Sequence, residues 1–234
     1  MLFYDWTMLL ILPAFLLAIW AQFKVKSTYA KYAKVNVRSG LTGADVAREI
    51  LRDAGIPLGG GVAGTVSEIT PIAGVMTDHY DPRTRSLRLS EDVYYGTSIA
   101  SLGVAAHEVG HAIQHAKSYA PMELRSVIYP VSAIGSNLGI WLFVIGFLFV
   151  HSPLLINLGI LLFSAAVFFT VLTLPVELNA SKRAMVALAH GGYLQADELN
   201  GARKVLTAAA MTYVAAALMS VLQLIRMILI SRDR

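Results

Sequence analysis

The fold of this chain is decided by residues 128–174, which read IYPVSAIGSNLGIWLFVIGFLFV (128–150), HSP (151–153) and LLINLGILLFSAAVFFTVLTL (154–174). Neither apolar stretch contains a charged residue. Each approaches or exceeds the roughly 20 residues that a membrane-spanning helix needs. The break between them leaves room only for a tight turn. The sequence therefore predicts a helical hairpin that crosses a lipid bilayer twice.

The composition of the whole chain favours a membrane protein. Its 234 residues are 56% hydrophobic and 15% charged, whereas soluble domains carry about a quarter charged residues. Two further apolar stretches, 2–23 and 205–230, are candidate spans, and the second is weaker because Gln223 and Arg226 interrupt it. Basic residues follow the first stretch and do not precede it, which indicates an uncleaved anchor and not a signal peptide. We expect a mainly α-helical integral membrane protein with three or four transmembrane helices.

The basic residues predict the orientation. They cluster after the first apolar stretch and between the third and the fourth: Lys24, Lys26, Lys31, Lys34 and Arg38, then Lys182, Arg183, Arg203 and Lys204. Because Lys and Arg concentrate in cytoplasmic loops, we expect both clusters in the cytoplasm, beneath a plasma (inner) membrane that the chain crosses several times. The turn at His151 would then lie outside. The terminal SRDR (231–234) would also lie outside, against the rule, so the last helix could be tilted, interfacial or re-entrant.

Residues 39–127 have the pattern of a small folded portion. LTGADVAREILRDAG (41–55) predicts an amphipathic helix with Thr42 as its N-cap, Asp45 three residues on and Gly55 at its end. GVMTDHYDPRTRSLRLS (74–90) alternates apolar and polar residues around DPRT and predicts a β-hairpin. The stretch that follows it has a helical apolar period that runs from Ile99 to Ile113.

That last helix carries AAHEVGHAIQH (105–115), which contains His107-Glu108-Val109-Gly110-His111. Residues four apart share a face of a helix, so His107 and His111 can bind one metal ion. Glu108 is turned aside and can instead reach a water on that ion, whose pKa zinc lowers to about 7. The chain has no cysteine, which leaves a metal site to His, Asp and Glu. A buried structural helix is the alternative, although unpaired buried polar groups are costly.

A catalytic zinc site needs a third protein ligand and an open position. The candidate is Glu177, which follows the third apolar stretch and is expected on the same side of the membrane as His107 and His111. Pro175 suits a helix start, which would put Glu177 in a first helical turn. The alternative is that the carboxylate binds no metal and only interacts favourably with the positive end of the helix dipole. A His₂Glu site with an open position suits Zn²⁺ best, without excluding another divalent metal.

Together, DHYDPRTRSLRLS (78–90), AAHEVGHAIQH (105–115) and PVELNASKRA (175–184) resemble the YugP-type family of membrane zinc metallopeptidases, and their arrangement is similar to that of the HtpX-type gluzincins. The resemblance covers nearly the whole chain. It implies Zn²⁺, the ligands His107, His111 and Glu177, and Glu108 as general base. HtpX-type proteins usually carry an Asp four residues after the ligand Glu, to orient a ligand His. Here Ser181 takes that position, with Asn179 nearby.

Other polar residues have less specific signals. Candidates for a donor to the reaction's oxyanion are His190, Tyr193, Tyr213 and Arg203. His115 and Gln114 are expected at the surface, and His79 in a structural role on a hairpin whose edge strand a peptide could join. Gly59, Gly61 and Gly64 match G-x-G-x-x-G but follow a helix and not a strand, so they predict a loop and not a dinucleotide site. The basic run 24–38 indicates contact with anionic lipid and not with nucleic acid.

The sequence thus predicts a zinc-dependent integral membrane endopeptidase that cleaves unfolded or membrane-proximal peptides or proteins. Two alternatives stay open: an intramembrane-cleaving metalloprotease, and a membrane metal sensor or scaffold without turnover. The oligomeric state is left open. The expected division is an anchor (1–23), a cytoplasmic zincin-like catalytic portion with the β-hairpin (24–127), a transmembrane helical hairpin (128–174), a helix and loop with the third ligand (175–204) and a C-terminal membrane helix (205–234).

Overall fold

The computed structural model describes residues 6–60 and 62–232. Within them the chain forms seven helices, α1 (Thr7–Tyr32), α2 (Gly43–Asp53), α3 (Glu91–Tyr94), α4 (Ile99–Ala116), α5 (Ala120–Leu148), α6 (Pro153–His190) and α7 (Ala196–Arg232). It also forms three strands, β1 (Glu68–Ile72), β2 (His79–Asp81) and β3 (Ser86–Ser90). Four of these helices, α1, α5, α6 and α7, are long and apolar enough to cross a membrane. The expected fold, membrane helices with a small portion that contains a β-hairpin, is confirmed.

The described residues fold as two compact units. The first unit comprises 6–22, 123–175 and 211–232, and the second comprises 23–122 and 176–210. Large apolar side chains on the first unit face outward, and Phe149 and Leu154 are 75% and 68% exposed. Such surfaces are stable against lipid and costly in water. The first unit is therefore built as a membrane bundle.

Inside the first unit, α5 and α6 approach each other at glycines. A Cβ on Gly139 would lie 2.9 Å from the carbonyl oxygen of Gly159, and a Cβ on Gly159 would lie 2.7 Å from that of Gly139. Small residues are what allows membrane helices to pack this closely. The polar residues of the bundle have partners: the hydroxyls of Thr170 and Ser220 lie 2.7 Å apart. The predicted pair of spans thus forms a tightly packed helical hairpin.

In the second unit, α2 begins as the sequence predicts. The Thr42 hydroxyl accepts a hydrogen bond from the Asp45 N–H at 3.1 Å, and the Asp45 carboxylate accepts one from the Thr42 N–H at 3.1 Å. This reciprocal capping box satisfies two donors that the helix itself leaves unpaired. The chain then leaves the helix through Gly55, whose φ of +69° suits glycine. The buried face of α2 packs on α4, which carries the candidate site.

The sheet of the second unit contains the predicted hairpin. Strand β2 pairs antiparallel with β3, with Tyr80 opposite Leu87. Strand β1 pairs parallel with the other side of β3, a pairing that the sequence did not predict, which gives the order β1-β3-β2. Gly59 and Gly64 lie in the connection between α2 and β1, as expected for a loop, and Gly61 lies outside the described residues. Strand β2 is therefore an edge strand, and it contacts α4.

Helix α4 also packs against the part of α6 that belongs to the second unit. A Cβ on Gly110 would lie 2.6 Å from the carbonyl oxygen of Ala180. This distance is too short for any side chain, so Gly110 is what permits the close approach of the two backbones. Ala106, Ala180 and Ala184 are buried as well. Small residues thus bring the backbones of α4 and α6 together beside the predicted ligands.

Three helix limits differ from the expectations. Helix α1 continues past Phe23 through the basic residues to Tyr32, and residues 2–5 of the predicted span lie outside the described part of the chain. Helix α7 begins at Ala196, earlier than the apolar pattern indicated. Helix α6 does not start at Pro175 but runs through it. Proline inside a helix removes one hydrogen bond, a loss that is tolerated more readily in membrane helices than in soluble ones.

Substitution of Gly110 by Ala should lower the thermal midpoint of the detergent-purified protein by several degrees. The added methyl group meets α6 backbone, which cannot rotate away, and overpacking of this kind costs about 1–3 kcal/mol. Gly103→Ala, on the same helix, is the matched control, because its Cβ would meet Ala202 at an ordinary 3.5 Å. Alanine has the higher helix propensity, so this variant should melt no lower than the wild type. Equal midpoints for the two variants would contradict the proposed close contact.

Candidate metal centre

The first two candidate ligands come from one helix. His107 and His111 are four residues apart on α4, and their ring centroids are 4.8 Å apart with an interplanar angle of 86°. The helical period turns both rings to one face, whereas Glu108 is turned by about 100° from His107. The side chains of His107 and His111 are 13% and 10% exposed. Two imidazoles thus converge in a largely buried place.

Glu177 of α6 completes the cluster. Its Oε2 lies 3.2 Å from Nε2 of His107 and 3.4 Å from Nε2 of His111, and its side chain is 3% exposed. In a tetrahedral zinc site with bonds of about 2.0–2.1 Å, neighbouring donor atoms are separated by about 3.3–3.4 Å. Both the donor types and the two separations therefore fit a zinc ion bound by His107, His111 and Glu177.

Each imidazole is oriented by a second residue that contacts its Nδ1 atom. Nδ1 of His107 lies 3.1 Å from the Ser181 hydroxyl, and Nδ1 of His111 donates to Oε1 of Gln114 at 3.0 Å. A partner at Nδ1 fixes the ring orientation and directs Nε2 to a metal ion. Ser181 occupies the place where the HtpX-type pattern has a carboxylate. A neutral hydroxyl therefore orients His107 here.

Gln114 was expected at the surface, and that expectation is wrong. Its side chain is fully buried, and its Nε2 donates both to the Val176 carbonyl at 2.8 Å and to Oδ1 of Asn179 at 3.0 Å. One amide thus connects His111 to the α6 backbone beside Glu177. A signal was present in the sequence, since positions 107, 111 and 114 have the i, i+4, i+7 spacing of one helix face.

The β-hairpin contacts the candidate site at Glu108. Oε2 of Glu108 accepts a hydrogen bond from the backbone N–H of Tyr80, on the outer edge of β2, at 3.0 Å. The Tyr80 hydroxyl in turn lies 2.8 Å from Nδ1 of His115, which is partly buried. His79 has the structural role that was expected, because its Nδ1 donates to the Thr77 carbonyl. Strand β2 thus uses its edge N–H at Tyr80 to hold Glu108.

The charges around the site shift several pKa values. Burial alone would lower the pKa of His111, but the hydrogen bond to Glu177 and the charges of Glu108 and Glu177 outweigh it and raise that pKa above its ordinary value. Burial raises the pKa of Tyr80 to about 12, so its hydroxyl stays protonated. Burial also raises the pKa of Asp78, which the nearby Glu108 raises further. The carboxylates of Glu108 and Glu177 thus favour positive charge beside His111.

Asn179, His190 and Tyr193, which were further candidates for the site, contact other residues or lie elsewhere in the second unit. Asn179 does not contact an imidazole but accepts from Gln114 and, at 2.7 Å, from Nε of Arg183. His190 ends α6, thirteen residues after Glu177, a separation of about 20 Å along a helix. It is therefore too far away to serve this cluster. The Tyr193 hydroxyl, three residues further along the chain, donates to Asp53 of α2 at 2.6 Å. The structure therefore pairs Tyr193 with Asp53 and places His190 at the far end of α6 from Glu177.

The fold and the cluster define a class: a protein with four helices able to cross a membrane, in which two His from α4 and one Glu from α6 form a group that could hold a metal ion. Residues 7–232 match the family model described as "Putative neutral zinc metallopeptidase". The chain is also 51% identical over 214 residues to "Putative membrane protease YugP" of Bacillus subtilis (strain 168), an alignment that covers 92% of this chain and 91% of the relative. No solved structure matches the chain. The chain belongs to this zinc metallopeptidase family, as the sequence motifs predicted.

Replacement of Glu177 by Ala should remove the metal. The purified wild type should contain about one zinc ion per chain, and the variant much less, because loss of one of three protein ligands leaves an incomplete site. Elemental analysis of the detergent-purified proteins measures this directly. Glu68→Ala, on the exposed face of β1, is the matched control and should keep its zinc. Full zinc content in Glu177→Ala would show that another residue completes the site.

Gln114→Met should weaken zinc binding by roughly 10- to 100-fold, the usual effect of removing the partner that orients a metal-binding imidazole. Methionine keeps the approximate size of the side chain but cannot accept from His111. Titration against a chelator of known affinity gives the dissociation constant. Gln195→Met is the matched control, because Gln195 is exposed. If both variants bound zinc equally well, the hydrogen bond to His111 would have no role in metal binding.

Proposed function

We propose that this protein is a zinc-dependent integral membrane endopeptidase that hydrolyses peptide bonds with Glu108 as general base. The observation that carries the proposal is the position of Glu108: it adjoins the ligand candidate His107, it is buried, and the Tyr80 N–H holds its carboxylate. A site that only binds metal has no use for a base held in this way. Family membership supports the same activity.

In this proposal His107, His111 and Glu177 hold the zinc ion. When bound there, zinc lowers the pKa of water towards 7 and polarises a carbonyl group. Glu108 takes a proton from the attacking water while the oxygen of that water forms a bond to the carbonyl carbon of the substrate. Glu108 then passes that proton to the nitrogen when the C–N bond breaks, which yields a carboxylic acid and an amine. The hydrogen bond from Tyr80 to Oε2 fixes the direction from which the carboxylate takes and gives the proton.

We further propose that the site faces the cytoplasm from a plasma (inner) membrane, where unfolded or membrane-proximal peptides can reach it. The second unit, which contains the site, holds all but four of the 19 lysines and arginines, the others being Arg125, Arg226, Arg232 and Arg234. Such an asymmetry is typical of the cytoplasmic side. His107 and His111 lie on α4, which is not among the candidate membrane spans of the described residues. This position favours a site outside the bilayer over intramembrane cleavage.

Glu108→Gln should keep its zinc and lose peptidase activity by roughly 10²- to 10⁴-fold, the usual contribution of a general base. The amide has the shape of the carboxylate but cannot take up the proton. Activity is measured with an unfolded protein and with a fluorogenic peptide library, and zinc is measured in the same preparations. The matched control, Glu68→Gln, should retain both properties. Unchanged activity in Glu108→Gln would remove Glu108 from the reaction, and a zinc-loaded wild type without any turnover would favour the sensor or scaffold.

The orientation can be tested with single cysteines, because the chain has none of its own. A membrane-impermeant thiol reagent should label Val150→Cys in intact cells, since Val150 is exposed beside the predicted outer turn. It should label Arg83→Cys, in the exposed turn of the hairpin, only after the membrane is permeabilised. The reverse pattern would place the metal site outside the cell. Labelling of both positions after denaturation controls for expression and reactivity.

A further inference from the structure

A second concave site lies in the second unit, between α2, α4 and α6, with a volume of about 780 Å³. Ligand sites in proteins commonly have volumes of 300–1,000 Å³. Its polar wall includes Lys117 at the end of α4 and Lys182 and Arg183 on α6. We call this site the basic cleft. The metal ligands are not among its lining residues.

The charges of the basic cleft favour an anion. The lining carries three permanent cations and one acid, Asp53, whose carboxylate accepts from the Tyr193 hydroxyl and lies 3.8 Å from Nε of Arg52. Arg183 is oriented before any ligand binds: its Nε donates to Asn179 and its guanidinium lies 5.9 Å from the centre of the Tyr119 ring. An ordered guanidinium beside two lysines is a suitable receptor for a phosphate group.

The remainder of the lining is apolar and comes from Ile50, Ala54, Ile113, Val186 and Ala187. Val186 is 59% exposed although it lies next to the cations along α6. A free inorganic anion would leave this apolar area in water, whereas a ligand with a hydrocarbon portion would cover it. The lining therefore fits a molecule with a phosphate at one end and an apolar portion at the other.

We propose that the basic cleft binds the phosphate headgroup of an anionic phospholipid through Lys117, Lys182 and Arg183. Lys182 follows the uncharged stretch 154–174 of α6 by only eight residues. Along the chain it is therefore close to the end of a predicted span, where lipid headgroups begin. Basic residues next to a span attract anionic lipid headgroups. This lipid site goes beyond the peptidase activity and does not depend on it.

Native mass spectrometry of the full chain in detergent tests the proposal by titration with phosphatidylglycerol or phosphatidylcholine. The wild type should retain phosphatidylglycerol preferentially. Lys117→Gln/Lys182→Gln should weaken its binding by roughly 10- to 30-fold, since each lysine near a lipid surface contributes roughly fivefold. Lys117→Arg/Lys182→Arg should restore it. Arg203→Gln/Lys204→Gln is the matched control, because it removes two exposed basic residues beside another span and outside the cleft, and it should bind as the wild type does.

Two results would overturn the lipid site. The first is equal retention of both lipids by the wild type, and the second is the same loss in Arg203→Gln/Lys204→Gln as in Lys117→Gln/Lys182→Gln. Inorganic phosphate or the soluble glycerophosphoglycerol headgroup serves as competitor in the same titration. If either displaced the lipid at equal concentration, the cleft would be a site for free phosphate. If a peptide with a free C-terminal carboxylate displaced it, the cleft would instead bind peptides. Zinc content, measured alongside, should be the same in every variant.

Discussion

The metal site depends on one close contact, that of the α4 backbone at Gly110 with the α6 backbone at Ala180. The helical period places His107 and His111 on one face, but that face provides only two ligands. The third ligand stands on another helix, and one carboxylate oxygen must come within 3.2–3.4 Å of both imidazoles. A side chain at position 110 would meet the Ala180 carbonyl at 2.6 Å and push the helices apart. The absence of a side chain at Gly110 is therefore a requirement of the metal site.

The groups behind the ligands are neutral, which matters in a buried site. Ser181 and Gln114 orient the two imidazoles, where carboxylates would have added negative charge. With neutral imidazoles, a divalent ion and the two carboxylates of Glu177 and Glu108 have a net charge of zero. Burial of uncompensated charge is expensive, so this balance is a physical reason for a hydroxyl and an amide in these places. Asp78, close to Glu108, has a raised pKa for the same reason.

The sequence predicted the features that depend on neighbours along the chain. The HExxH spacing gave the face with His107 and His111, the apolar lengths gave the spans, and DPRT between alternating residues gave the hairpin. Contacts between distant segments were harder to predict. The parallel pairing of β1 with β3 has no local signal, and proline at position 175 suggested a helix start, because its effect in water differs from that in a membrane helix. Gln114 was missed because a polar residue near a helix end is usually exposed. Here it is buried, and hydrogen bonds with three other residues satisfy its side-chain amide.

The part of α6 in the second unit has two functions on two sides. Glu177 and Ser181 are four residues apart and share a face, which is the one that meets His107. Asn179 and Arg183 are also four apart, but they are turned by about 200° from the first pair. They support Gln114 from behind and line the basic cleft. Asn179 accepts from both Gln114 and Arg183, so the order of Arg183 in the cleft and the orientation of His111 depend on the same amide. Fewer than two turns of one helix thus carry a metal ligand on one face and an anion receptor on the other.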